Sequence, residues 1–167
     1  MGYEEHMKHA KRNIACAVIT VSDTRTEDRD SSGKLIRKLL QEAGNAVAMY
    51  RVVHDDEHEI GAALQEALGA EGVEVVILNG GTGISPRDVT VDVVAPMLTK
   101  RLDGFGELFR LLSFQEIGAA AIMSRALAGV SSGHLIFCLP GSTSAVRLGM
   151  EKLILPQVGH MLYEVSR

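Results

Sequence analysis

Apolar and polar positions alternate along this chain in blocks. Residues 14–21, IACAVITV, are apolar almost without interruption, the pattern of a strand buried on both faces of a parallel sheet. Polar SDTRTEDRDSS follows, and then Leu35, Ile36, Leu39, Leu40 and Ala43 fall on one helical face with Gly44 as a stop. Residues 46–53, AVAMYRVV, predict a second strand. Asp56 stands before the next helical stripe of Ile60, Ala63, Leu64, Ala67 and Leu68, with Glu59 at capping-box spacing and Gly69 and Gly72 near the end. Residues 73–78, VEVVIL, predict a third strand, and 91–98 a short helix bent or broken at Pro96. Residues 105–117 predict a helix whose apolar band (Leu108, Phe109, Leu111, Leu112, Phe114, Ile117) is wider than one core contact needs, which suits a subunit interface. Residues 134–139, HLIFCL, read as another buried strand ending in Pro140-Gly141-Ser142, with two C-terminal helical segments separated at Pro156.

This alternation predicts an α/β fold, a three-layer sandwich around a mostly parallel sheet, formed by one domain over 14–167 behind a tail over 1–13. Ligands of such sheets bind beyond the carboxyl ends of the strands. Three polar or glycine-rich segments sit at those ends: Ser22-Asp23, residues 80–88, and 140–142. If their strands are neighbours, the three converge on one pocket.

Composition narrows the function. At 167 residues the chain is one domain, large enough to bury about 70% of its unfolded surface without a disulfide or structural metal. The aromatic share is 4% with no Trp, which argues against base-stacking platforms. The net charge of -4 argues against a nucleic-acid or anionic-membrane surface. The basic residues Lys8, Lys11 and Arg12 read as a solvated terminus. Cys16 and Cys138 lie in apolar strand-like runs and read as buried free thiols in a reducing compartment. The N-terminus lacks a signal-peptide core, His6 stands where a myristoylation site wants Ser or Thr, and no apolar run reaches membrane-spanning length. A cytoplasmic location is the expectation.

The candidate chemistry centres on NGGTGISPRDVT, residues 79–90. Gly80, Gly81 and Gly83 permit positive φ and close backbone approach, and successive N–H groups in such a turn form an anion-binding concavity. No Gly-Lys-Ser/Thr follows, and Pro86 occupies the place of a third dinucleotide-fingerprint glycine. On these residues alone the segment is either a tight turn or a phosphate cradle. Ser85 and Asp88 have capping-box spacing with Pro86 between them; Thr90 is the alternative cap, leaving Asp88 free to bind Mg²⁺. Asp56 is an N-cap candidate beside Asp55. His54 and His58 have no evident third ligand, so a zinc site is discounted. Glu107 suits a helix N-terminus, and Ser124-Arg125 suits either a surface pair or an anion site. No Gly-x-Ser-x-Gly elbow is present.

NGGTGISPRDVT, DGFGELFR, SRALAG and LPGSTSAV, in that order, with VSDTRTEDRDSSG and HDDEHEI before them, resemble the MoaB/Mog family of molybdenum cofactor biosynthesis. FRLLSFQEIG and PGSTSA lean toward the MoaB branch. The resemblance spans nearly the whole chain. It implies the molybdopterin-binding domain fold, assembled as a homotrimer or a dimer of trimers. It implies Mg²⁺-dependent adenylylation of molybdopterin by ATP, with pyrophosphate released and a second protein inserting molybdate afterwards. Asp56 and Asp88 take the positions of the family's functional aspartates, as catalytic and Mg²⁺-binding groups, with Asp55 the alternative to Asp56. Ser22, Gly80, Gly81, Thr82, Gly83, Ser85, Thr90, Glu107, Ser124, Arg125, Pro140, Gly141 and Ser142 become the expected substrate-binding residues. A non-catalytic molybdopterin-binding paralogue, serving carriage or regulation, is the alternative.

Overall fold

A computed structural model describes residues 9–167. Strand β1 (Ala15–Val21) leads to helix α1 (Ser31–Glu42), β2 (Ala46–Val53), α2 (Glu57–Gly69) and β3 (Val75–Asn79). Then come α3 (Thr90–Val94), the short strand β4 (Lys100–Arg101), α4 (Asp103–Ile117), the hairpin β5 (Leu127–Ser131) and β6 (His134–Leu139), α5 (Thr143–Gly149) and α6 (Leu155–Val165). The sheet order is β2-β1-β3-β6-β5-β4. The first four strands are parallel, while β5 runs antiparallel to β6 and β4 antiparallel to β5.

Alternate residues of each strand face opposite layers, as the pleat requires. Cys16, Val18, Ile77 and Phe137 pack against α1, α4, α5 and α6. Ala17, Ile19, Leu78 and Ile136 pack against α2 and α3. Two apolar layers therefore enclose one sheet, and the expected three-layer α/β sandwich is what forms. Phe137 is fully buried, with Phe105 edge-on at 5.4 Å between ring centroids; burying a side chain of this size stabilises by about 1.5–3 kcal/mol. The two cysteines are free and buried, one in each layer, and burial pushes both thiols up to about 12.

Three details differ from the sequence reading. Strands β4 and β5 were not expected; β5 is rich in small residues, and a two-residue turn with positive φ at Ser132 and Gly133 joins it to β6. The C-terminal helices are not separated at Pro156. A single π turn (Met150–Ile154) joins α5 to α6, and Pro156 sits at the start of α6. The widened turn relieves the missing N–H and ring clash that would otherwise break the helix. Lys11 is not simply solvated: its N–H donates to the Gly159 carbonyl at 2.9 Å and its ammonium pairs with Glu74. Lys8, His6 and the Met1-Gly2 pair lie outside the described residues. Near Pro96 the expected interruption occurs, with α3 ending at Val94 and a 3-10 turn over Ala95–Met97. No helix among the described residues is long and apolar enough to cross a membrane.

Candidate functional site

The ends of the four parallel strands meet at one edge of the sheet. The N–H of Gly80, just past β3, donates to the Leu139 carbonyl at the end of β6 at 2.9 Å. Gly80 has φ +96, and a Cβ there would clash with the Val21 carbonyl at the end of β1. A Cβ on Gly141 would stand 3.3 Å from the Gly80 Cα. Ser22 N–H donates to the Val53 carbonyl at 2.8 Å, tying the end of β2 to the same place. The convergence expected of Ser22-Asp23, 80–88 and 140–142 is present.

The glycine loop is fixed by its own downstream residues. Thr90 is fully buried; its Oγ1 donates to the Gly80 carbonyl at 2.9 Å and its N–H to the Gly81 carbonyl at 3.0 Å. Thr90 therefore pins the loop from behind. The N–H of Gly80 is spent on Leu139, but those of Gly81, Thr82 and Gly83 make no hydrogen bond among the described residues. Three consecutive amide donors are thus left without an intramolecular partner, on half-buried Gly81 and Gly83 and buried Thr82, the kind of run that forms an anion-binding concavity where it faces a ligand.

Asp88 closes a turn instead of capping a helix. Its N–H donates to the Ser85 carbonyl at 2.9 Å, and its Oδ2 accepts from the Ser85 N–H at 2.9 Å. Helix α3 begins only at Thr90, without a side-chain cap. The capping-box alternative for Ser85 and Asp88 is thereby overturned: Ser85 Oγ accepts instead from the Arg87 N–H at 3.2 Å. A Cβ on Gly83 would come 2.7 Å from Asp88 Oδ2, so glycine there makes room for this carboxylate.

The acid facing this loop from β2 is Asp55. A Cβ on Gly81 would stand 3.1 Å from Asp55 Oδ1. Asp55 and Asp23 are joined reciprocally: the Asp23 N–H donates to Asp55 Oδ2 at 3.1 Å and the Asp55 N–H to Asp23 Oδ1 at 3.0 Å. Burial, then the Asp23 and Asp88 charges, raise the Asp55 carboxyl above its ordinary value. Arg87 donates from Nε at 3.0 Å and Nη2 at 2.7 Å to Asp23 Oδ2, and those bonds hold the Asp23 carboxyl below the ordinary range. Asp56, the acid assigned from sequence, is occupied elsewhere. Its Oδ1 accepts from the Glu59 N–H at 3.0 Å and caps α2, and it is Asp55, the alternative acid, whose carboxylate stands against the glycine loop.

The remaining expected site residues divide. Arg125 follows the loop closely: its N–H donates to the Thr82 carbonyl at 2.9 Å, Nε to the Gly83 carbonyl at 2.8 Å, and Nη2 to the Asp88 carbonyl at 2.7 Å. It also forms a bidentate pair with Asp92 at 3.0 Å. Its guanidinium is spent on fixing the loop. Ser124 Oγ accepts from the Ala126 N–H at 3.3 Å. Ser22 Oγ accepts from the N–H groups of Thr24 and Arg25, and Ser142 Oγ caps α5 through the Ala145 N–H. Pro140 and Gly141 lie at the convergence, whereas Glu107 is exposed on α4. His54 pairs with Glu59, and no cluster of three metal-ligating side chains occurs among the described residues.

Beneath the loop lies a polar network that the sequence reading missed. Asn79 donates to Thr20 Oγ1 at 2.9 Å and accepts from Ser32 Oγ at 2.9 Å. Asp30, fully buried, accepts from the Gly33 N–H at 2.9 Å as the cap of α1 and from Tyr50 Oη at 2.5 Å. Arg25 donates to Ser32 Oγ. An aspartate immediately before a helical stripe was the available signal. Through Asn79 the network fixes the residue that precedes Gly80.

Comparison with known proteins gives a consistent neighbourhood. Residues 17–160 match the family described as "Probable molybdopterin binding domain". The "Molybdenum cofactor biosynthesis protein B" of Bacillus cereus is 47% identical over 168 aligned residues, covering 100% of this chain and 99% of that one. A crystal structure of a molybdenum cofactor biosynthesis protein B is 48% identical with TM-score 0.91, covering 95% of this chain and 98% of that chain. The tungsten cofactor synthesizing protein MoaB from Pyrococcus furiosus is 38% identical with TM-score 0.86, covering 95% and 100%.

Proposed function

This chain belongs to the molybdopterin-binding domain family of molybdenum cofactor biosynthesis, and from that premise we propose that it adenylylates molybdopterin. In this reaction the terminal phosphate oxygen of molybdopterin attacks the α-phosphorus of ATP. A new P–O bond forms, the bond to the bridging oxygen of the β-phosphate breaks, and adenylyl-molybdopterin and pyrophosphate leave. Such a transfer asks for little covalent chemistry from the protein. It asks that two polyanions be held in line and their charge be met.

The observation that carries this reading is the meeting of the unpartnered N–H groups of residues 81–83 with the Asp55 and Asp88 carboxylates. The amides suit phosphate oxygens. Mg²⁺ binds through one or two carboxylates together with substrate phosphates, so Asp55 and Asp88 fit it without a third acid. The fit is reinforced at Asp55, whose ionised form is opposed by burial and by two neighbouring carboxylates, a disadvantage a cation relieves. Bound there, Mg²⁺ would supply neutralisation of the phosphate charge. Thr90 and Arg125 keep the loop and Asp88 in register. Two buried free thiols suit a cytoplasmic location.

The chain self-associates in this proposal, as a homotrimer or dimer of trimers. Leu111, Phe114 and Ile117 on α4, and Ile122 just after it, are more than half exposed, an apolar face that a second copy would cover. A separate protein inserts molybdate into the product.

The test is incubation with molybdopterin, ATP and Mg²⁺, followed by mass spectrometry. Adenylyl-molybdopterin and pyrophosphate are expected, and both disappear in Asp88→Asn. Unchanged transfer in that variant removes the role of Asp88. Tight molybdopterin binding without product in the native chain favours a non-catalytic carrier instead.

A further inference from the structure

The site as described has an imbalance. Three carboxylates, Asp23, Asp55 and Asp88, stand at the strand ends where two polyanionic substrates must bind. The cations nearby are mostly committed. Arg125 is tied to the carbonyls of Gly83 and Asp88 and to both oxygens of Asp92. Arg25 donates to Ser32 and lies 3.6 Å from buried Asp30. Arg87 is different. It lies one residue before Asp88, its backbone is held by Ser85 Oγ, and its side chain is 65% exposed. Among the described residues its head group donates to only one oxygen of one partner, Asp23 Oδ2.

We propose that Arg87 is the phosphate-binding cation of this site and that Asp23 is its competing partner within the chain. On nucleotide binding the guanidinium exchanges the Asp23 carboxylate for oxygens of the polyphosphate. This inference rests on the nucleotide-dependent reading above. Three features support the exchange. The Arg87–Asp23 pair is exposed, so solvent screens it and little free energy opposes its opening. A polyphosphate offers the same fork of donors a higher charge and more oxygens than one carboxylate. Asp23 does not depend on Arg87 for its place, because its N–H and Oδ1 are both bonded to Asp55.

A pair that merely holds two loops together and a pair that competes with substrate predict different signs. The experiment is calorimetric titration of α,β-methylene-ATP with Mg²⁺ into the native chain, Arg87→Gln, Asp23→Asn and the double variant, with circular dichroism to verify folding. Arg87→Gln is expected to weaken binding at least tenfold. Asp23→Asn keeps an oxygen for the Asp55 N–H but releases Arg87, and is expected to tighten binding by up to about fivefold. The double variant should follow Arg87→Gln. Equal weakening by both single variants, or unchanged affinity in Arg87→Gln, overturns the exchange. A native chain that binds the nucleotide yet forms no adenylyl-molybdopterin overturns the transferase reading alone, and the affinities still decide the role of Arg87. A native chain that binds no nucleotide overturns both.

Discussion

Arg125 holds the main chain of Asp88, donating from Nη2 to its carbonyl oxygen at 2.7 Å. The same guanidinium reaches the Gly83 carbonyl and both oxygens of Asp92. The position of the site carboxylate is thus set by a residue 37 positions further along the chain. A lysine ammonium carries its three donors on one nitrogen and cannot span these four oxygens as the guanidinium fork does. Arg125→Lys is therefore expected to fold but to lower the proposed adenylyl transfer roughly 10- to 100-fold, because small displacements of a positioned group are costly. Product formation by mass spectrometry measures the effect, and an unchanged rate would show that Asp88 needs no such clamp.

Asp55 and Asp56 are adjacent but differently placed, Asp55 against the glycine loop and Asp56 as the cap of α2, and in the proposed reaction their variants should separate cleanly. Asp55→Asn removes the charge facing Gly81 and is expected to reduce transfer at least 100-fold with its fold kept. Asp56→Asn preserves a good N-cap for α2 and should change neither rate nor stability appreciably. Asp56→Ala should cost about 1 kcal/mol of stability while leaving the rate near native. Parallel urea denaturation and activity assays decide the assignment; loss of transfer in Asp56→Asn would restore it as the functional acid.

The contrast between these two acids shows what the sequence could and could not reveal. The parallel strands were legible because IACAVITV, VEVVIL and HLIFCL are apolar on both faces, and burial on both faces is what a three-layer fold imposes. β5 was not, because a strand containing Ala128 and Gly129 lacks that signature, although Ser132-Gly133 marked its turn. That the glycine loop would lie at the strand ends, with Asp88 beside it, could be read from local pattern. Which of two neighbouring aspartates faces the loop depends on side-chain direction at the end of β2, and spacing alone does not carry that information. The pairing of Asp23 with Asp55 and Arg87 joins three separate loops, so only the folded chain reveals it.

Gly81 combines positive φ, +65, with a Cβ position that would clash with Thr90 Oγ1. Gly81→Ala is expected to destabilise by about 1–3 kcal/mol and to abolish nucleotide binding through displacement of the free amides. Gly69, at the end of α2, has nothing within 4 Å of its Cβ position, so Gly69→Ala should be neutral or stabilise by up to about 1 kcal/mol. Thermal melts of the two variants test the difference. Equal effects would mean that loop strain is not the cause.

Phe114 is 57% exposed on the outer face of α4, beside Leu111 and Ile117. Charge placed there meets water in an isolated chain but an apolar partner in an assembly. Phe114→Asp is expected to convert the proposed trimer to monomer at micromolar concentration while leaving the monomer folded. Light scattering with circular dichroism reads both. A native chain that is already monomeric would remove this face as a self-association surface.

Asp30 links the fold's stability to pH. Burial opposes its charge, but bonds from Thr20, Tyr50, Gly33 and Ser32 outweigh that, and its carboxyl lies below the ordinary value. An unfolded aspartate titrates near about 3.9. Above that pH the carboxylate is ionised in both states and its native bonds contribute fully. As pH falls below it, the unfolded chain takes up a proton before the folded one, and this contribution fades until the depressed native value is passed. Asp30→Asn removes the dependence and leaves donors poorly met, so it should lose about 1–3 kcal/mol at pH 7. Its deficit relative to the native chain should shrink between pH 4 and the acid limit of folding, to an extent of about 1.4 kcal/mol for each unit by which the native value is depressed. Urea midpoints measured at pH 7, 5, 4 and 3 follow that convergence. A constant deficit across the series would assign the loss to packing and cap geometry instead of to the charge of Asp30.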